Sequence, residues 1–320
     1  MPVNANRPER WKEDIAQSVD LYNHWFMQFA PQVYQHVRVE TTKQVQNALA
    51  WTDNLRSIAP DVLRQYPSIL AMLRMTTAPP LARDRLIGLS GVLPHVIRSM
   101  ELQHQLPVHM DKRLLDEELQ KIGNTIMRLV DADIFPWLQA GKIPTETEIY
   151  RAATIVADRL CGVAADPIIR NAQEQRQLEV IKLWLERRGY IQVTSNERVQ
   201  FDKMKPGTFS FRLNVQVVQE GGARKVKIPV DAVIMPLEAK DREFPLLVEA
   251  KSAGDFTNTN KRRKEEAIKV AQLRATYGYT IRFVLFLCGY FDSGYLGYEA
   301  AEGIDWVWEH RIDDLAELGV

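Results

Sequence analysis

Lys225-Val-Lys-Ile-Pro-Val-Asp231-Ala-Val-Ile-Met-Pro-Leu237 and Pro245-Leu-Leu-Val-Glu249-Ala-Lys251 are two apolar runs joined by a polar stretch, Glu238-Ala-Lys-Asp-Arg-Glu243. Short apolar runs bounded by turn residues read as buried strands, and the polar joint makes the pair an antiparallel hairpin. Asp231, Glu249 and Lys251 are the charges inside it. Facing positions in such a hairpin have a constant index sum, and Asp231 and Glu249 average to position 240, the middle of the turn. The arithmetic predicts that Asp231 lies across from Glu249, with Lys251 on the same face of its strand and Ala250 on the other.

Upstream, Thr208 to Val218 alternates, which predicts one half-buried strand with Phe209, Phe211, Leu213, Val215 and Val217 on a single face. Before it, Asp166-Pro167 reads as an N-cap and first-turn proline opening a helix through about Arg188, stopped by Gly189. Downstream come a basic helix from about Lys261 to Tyr277 and a buried strand, Ile281 to Cys288. The predicted order is αβββαβ, a mixed four-stranded sheet flanked by helices.

From Glu9 to about Leu160 the chain reads as helices punctuated by prolines, with Leu115, Leu119, Ile122, Ile126 and Leu129 along one helical face. The expectation is an α+β protein in two regions. Residues 1–160 form a helical domain for DNA recognition or dimerisation, and residues 161–320 form the α/β domain.

Composition excludes more than it selects. Lys plus Arg and Asp plus Glu number 41 each, so a polyanionic partner must be sought in local clusters. The start of the chain has no apolar leader, and no stretch is long and apolar enough for a membrane span, so a cytoplasmic protein without membrane contact is expected. The two cysteines and six histidines have no paired spacing that would suit zinc.

Buried charges need partners or a metal. Two carboxylates on a rigid sheet suit an oxygen-loving divalent cation that keeps waters and takes phosphate oxygens, Mg2+ with Mn2+ as a substitute. Such an ion polarises a phosphoryl group and acidifies a water, and Lys251 is placed to orient or deprotonate that water. The alternative is a salt bridge inside the sheet, Lys251 pairing both acids. Glu174 lies on the stripe Glu174, Leu178, Ile181, Leu185 and is a candidate further ligand, its alternative being an ion pair with Arg170. For DNA contact the sequence offers Asn258, Asn260 and the run Lys261, Arg262, Arg263, Lys264, with Arg74, Arg83 and Arg85 in the helical half.

Val230-Asp231 followed by Glu249-Ala-Lys251 resembles the PD-(D/E)XK nuclease signature, with valine where the signature has proline. Three segments look like the XamI family of Type II restriction endonucleases: Arg170-Asn-Ala-Gln-Glu174, the run from Glu249 through Asp255 and Lys261 to Glu266, and Pro79 to Leu86. The resemblance implies Mg2+-dependent hydrolysis of duplex DNA at a short palindromic site, leaving 5′-phosphate ends. It also implies a homodimer, because a palindrome presents two equivalent strands. Against it stand a structure-specific or repair endonuclease of the same fold and a non-catalytic DNA-binding protein. The long helical extension disfavours the first, and the intact Asp, Glu and Lys disfavour the second.

Overall fold

The computed structural model describes residues 2–194, 200–218, 225–257 and 259–320, with the side chains of 259–263 outside the described set. Asn258 and the side chains of Asn260, Lys261, Arg262 and Arg263 therefore lie outside the described residues. The helices are α1 (Pro8–Trp51), α2 (Pro60–Gln65), α3 (Leu70–Met75), α4 (Arg83–Ser90), α5 (Pro94–Arg98), α6 (Lys112–Leu129), α7 (Pro136–Ala140), α8 (Glu146–Glu186), α9 (Thr259–Tyr277) and α10 (Ser293–Ala301). The strands are β1 (Ile191–Gln192), β2 (Thr208–Val218), β3 (Lys225–Ile234), β4 (Leu246–Ala253), β5 (Arg282–Gly289) and β6 (Asp305–Trp308).

The chain is a mixed α+β protein whose six strands lie in the order β1-β2-β3-β4-β5-β6. β2, β3 and β4 form an antiparallel meander, while β1–β2, β4–β5 and β5–β6 pair in parallel. The run α8-β2-β3-β4-α9-β5 is the αβββαβ core expected from the sequence. The sheet nevertheless has six strands, not four. β1 and β6 have only two and four residues, too short for periodicity to register.

Residues Met1–Phe29 and Arg170–Val320 make one compact unit, and Ala30–Ile169 makes the other. The division thus differs from a single cut at residue 160, because the first residues of the chain pack on the sheet. Trp11 meets Trp306 of β6 edge-on at 5.5 Å, and Asn4 donates its side-chain amide to the Trp306 carbonyl at 2.9 Å. The Gly289 amide, at the end of β5, donates to Ser18 Oγ at 2.7 Å. Asp166-Pro167 is not a helix start either, since α8 runs through it with Pro167 in its interior. The small buried faces of Ala152, Ala153, Val156, Ala157, Cys161 and Ala165 carry the helix up to that point. Their burial outweighs the one backbone hydrogen bond that proline removes.

The helical unit has its own core, in which Leu119, Ile122 and Ile126 of α6 pack with Leu63, Leu73, Ile97 and Trp137. In the sheet unit, β4 alternates strictly. Leu246 and Val248 pack with Ile181 and Leu185 of α8, while Leu247 packs in the cluster that holds Leu273 of α9. The two helices therefore cover opposite faces, and Glu249 and Lys251, in step with Leu247, belong to the α9 face.

β2 departs from its expected pattern. Phe209 and Phe211 pack in the α8-side cluster, but Leu213, Val215 and Val217 pack in the α9-side cluster, so the five apolar residues do not share one face. β3 changes face at the same level, with Val230 on the α9 side and Ala232 and Ile234 on the α8 side. The pairing register is the same on both sides of this switch, from Phe211↔Ala232 to Leu213↔Val230. Arg212 and Asp231 are the facing residues between those pairs, and Arg212 holds φ 53°, a left-handed conformation that a non-glycine residue rarely adopts in a strand. Reversing both strands together preserves the ladder while turning the chain at Asp231.

Candidate active site

The β3–β4 ladder consists of Ala232↔Val248, Val233↔Leu247 and Ile234↔Leu246. Its constant sum puts Asp231 opposite Glu249, as the hairpin arithmetic requires, but the ladder stops one step short of that pair. β4 continues with β5 as far as Ala253↔Gly289, and β3 continues with β2. Where the strands part, Asp231 Oδ2 accepts the Ala250 amide at 2.9 Å and satisfies a donor that the ladder would otherwise have used. Pro229, two residues earlier, has no N–H to extend the pairing.

Glu249 is 8% exposed, and both of its oxygens are held by lysines. Lys251 Nζ lies 3.1 Å from Oε1, and Lys269 Nζ of α9 lies 2.6 Å from Oε2. Glu266, also on α9 and 1% exposed, places Oε1 3.7 Å from Lys251 Nζ, while its Oε2 accepts the Tyr295 hydroxyl of α10 at 2.6 Å. These groups line a cavity of about 280 Å³ together with Ile228 and Pro229.

Burial pushes the Asp231 carboxyl up to about 6, with Glu249 adding to the rise and the Ala250 amide and the two lysines offsetting part of it. Burial alone would lower the Lys251 ammonium, but Glu249, Glu266 and Asp231 outweigh it and hold Lys251 above the ordinary lysine value. An acid destabilised by a neighbouring acid is the electrostatic condition that a divalent cation relieves. No group of three or more His, Cys, Asp or Glu side chains is gathered for a metal among the described residues. The donors on offer at this point are two carboxylates of hard oxygen, which fit an ion that fills its remaining positions with water and phosphate.

The other sequence candidates do not gather at this site. Glu174 accepts from Arg212 Nη2 at 2.9 Å and Nε at 3.1 Å, so its partner is Arg212 and not Arg170, and no contact joins it to Asp231, Glu249 or Lys251. Arg74 is buried, and Glu101 takes its Nη2 at 3.0 Å while the Leu81 carbonyl takes its Nη1. Such an arginine shapes the turn around Pro79 and is not available to read bases. Arg83 shares the same glutamate through Nε at 2.9 Å. Arg85 and Lys264 are exposed, and neither has an ion pair among the described residues.

Sequence reasoning missed Gln177, Glu266 and Lys269. Buried Gln177 on α8 donates to the Lys251 carbonyl at 3.3 Å and the Phe286 carbonyl at 3.2 Å, bracing β4 and β5 directly behind the catalytic candidates. Glu266, Lys269, Val270 and Leu273 recur at i, i+3, i+4 and i+7, the inner stripe of α9, and that spacing was the available signal.

The profile of the XamI restriction endonuclease family matches residues 53–308. The chain is 52% identical over 317 residues to the Type II restriction enzyme SalI of Streptomyces albus G, covering 99% of each chain. No solved structure matches it. With a family profile spanning both compact units and full-length identity to a restriction enzyme, this chain belongs to the XamI restriction endonuclease family and is a restriction endonuclease.

Proposed function

We propose that the protein cuts duplex DNA at a short palindromic sequence, as a Mg2+-dependent homodimer that leaves 5′-phosphate ends and serves as the nuclease of a cytoplasmic restriction-modification system. The observation that carries this reading is the parting of β3 and β4 at Asp231, which opens a carboxylate pair beside Lys251 at the edge of a cavity. A buried salt bridge alone would not need the strands to separate. It would also leave unexplained why Asp231 is pushed up to about 6 beside a second acid.

In this reading Asp231 and Glu249 hold the metal, which when bound supplies Lewis-acid polarisation of the scissile phosphate and a more acidic water. The chain's own residues do the rest. Glu249 exchanges its lysine partners for the ion, so its two charge-assisted hydrogen bonds are the contacts given up on loading. Lys251 stays an ammonium, held so by the surrounding acids, and donates to the attacking water and to the negative charge growing on phosphorus oxygens; it does not take the proton. The Ala250 amide keeps Asp231 aimed across the gap between strands. Glu174 is left out of the ligand set because Arg212 engages it.

For DNA contact we assign Lys264 and Arg85 together with Asn258, Asn260, Lys261, Arg262 and Arg263, whose side chains lie outside the described set. Supporting this is the position of the basic run at the start of α9, the helix that also carries Glu266 and Lys269 into the cavity. Arg262→Ala with Arg263→Ala is expected to weaken binding to specific and nonspecific duplexes alike and to flatten the salt dependence by about 2 in log–log slope. Fluorescence anisotropy across a salt series in Ca2+ checks this, and an unchanged slope removes the pair from the interface.

Plasmid digestion with Mg2+, with Ca2+ and with chelator, followed by sequencing and ligation of the ends, tests the activity. Discrete ends at one twofold-symmetric sequence, ligatable without phosphorylation and formed only with Mg2+ or Mn2+, are expected. Cleavage at junctions or lesions without sequence preference would instead support a repair nuclease.

A further inference from the structure

Loading Glu249 with a metal takes away the closest partner of Lys251, and the cavity already contains what replaces it. Glu266 Oε1 is buried, 3.7 Å from Lys251 Nζ, and has no hydrogen-bond partner among the described residues. Its companion Oε2 is fixed by the Tyr295 hydroxyl at 2.6 Å, so the carboxylate cannot turn away. A buried carboxylate oxygen without a hydrogen bond is costly and rare. Here it faces an ammonium whose present partner, Glu249 Oε1 at 3.1 Å, is the same oxygen atom that a cation would claim.

We propose that Glu266, braced by Tyr295, is a positioning residue that receives Lys251 when metal occupies Glu249. It is a resting place for the lysine, not a ligand, and the inference rests on the assignment of Asp231 and Glu249 to the metal. Lys251 competes with the ion for Glu249, and Glu266 weakens that competition by offering the ammonium another carboxylate. In the loaded enzyme Glu266 then fixes the ammonium beside the reacting phosphate, so losing it disorders the lysine without touching DNA affinity. Lys269 holds the other Glu249 oxygen and has no corresponding second carboxylate among its ion pairs, which sets Lys251 apart as the mobile partner.

The test is Mg2+ and Ca2+ titration calorimetry on the full chain as wild type, Glu266→Gln, Tyr295→Phe, Lys251→Met, the double variant Glu266→Gln/Lys251→Met, and Asp231→Asn. Glu266→Gln keeps shape and a hydrogen bond to Tyr295 and removes only the charge. It is expected to weaken metal binding about tenfold, the equivalent of one charge-assisted hydrogen bond, and to lower kcat about a hundredfold with KM for DNA unchanged. Tyr295→Phe should move both quantities in the same direction by about threefold, the size of a neutral hydrogen bond. In the Lys251→Met background Glu266→Gln should have no further effect on metal affinity, because the competitor is gone. Loss of affinity in both backgrounds would make Glu266 a ligand and overturn the proposal. Unchanged metal affinity and kcat in Glu266→Gln, or a lower melting temperature as its only effect, would also overturn it. Asp231→Asn separates the two levels: if it binds metal as tightly as wild type, the underlying site assignment fails; if it does not, any failure belongs to Glu266 alone.

Discussion

Lys251→Ala is expected to cut plasmid at less than about one-thousandth of the wild-type rate, the loss typical of removing a preorganised group that meets transition-state charge. Asp231→Ala and Glu249→Ala should be at least as inactive, for a different reason. Each of these two removes a ligand, so metal titration should show weakened binding, whereas Lys251→Ala should keep its metal site and bind the ion slightly better once a competing cation is gone. DNA binding in Ca2+ should persist in Lys251→Ala. All three variants should remain folded, because the groups border a cavity and are not sealed in the sheet core. Cleavage with all three rates near wild type, or unfolding of any one of them, would favour the structural salt bridge.

Asp231→Asn is the second large effect, and it appears in stability without metal. The ordinary aspartate value is 3.8, and burial and Glu249 raise this one to about 6 in the folded chain. The native state therefore binds the proton more tightly than the unfolded state. The stability this group contributes is complete below 3.8 and is lost as pH rises through about 6. Above that, an ionised Asp231 opposes folding, by about 2 to 3 kcal/mol for a displacement of roughly two units. Asparagine can accept the Ala250 amide without the charge, so the metal-free variant should be more stable than wild type at pH 8 by that amount and no more stable at pH 4. Urea denaturation in chelator at the two pH values measures it. A variant destabilised at pH 8 would mean that the lysines more than repay the burial of the carboxylate. With metal present the order reverses, since the ion needs the charge, and wild-type cleavage should fall as pH drops through 6.

The same physics explains what could be read from residues alone. The β3–β4 register followed from two index numbers, because a hairpin has a constant sum and its polar turn was unmistakable. The face reversal in β2 was hidden by unbroken alternation from Phe209 to Val217, since a reversal matched by both strands leaves no extra residue and no glycine to announce it. Arg74 was read as exposed because its partner, Glu101, is 27 residues away in sequence and only the fold brings them together. Glu266 and Lys269 were hidden differently, by sitting among so many charges at the start of α9 that the helix looked solvated on all sides. Its buried stripe is short, and most of its outward residues are charged.

The short ladder between β3 and β4 has a practical side. Its three pairs fix the position of Asp231 relative to Glu249, and the turn beyond them ends in Asp241 and Arg242, whose side chains are 98% and 93% exposed. A segment spliced between those two residues would lengthen a surface loop, at an entropic cost that grows only slowly with its length, and would leave the pairing untouched. A fluorophore, an affinity handle or a second DNA-reading module could be carried there, on the same hairpin that carries Asp231 and Glu249 and with the ladder between the cargo and the carboxylates.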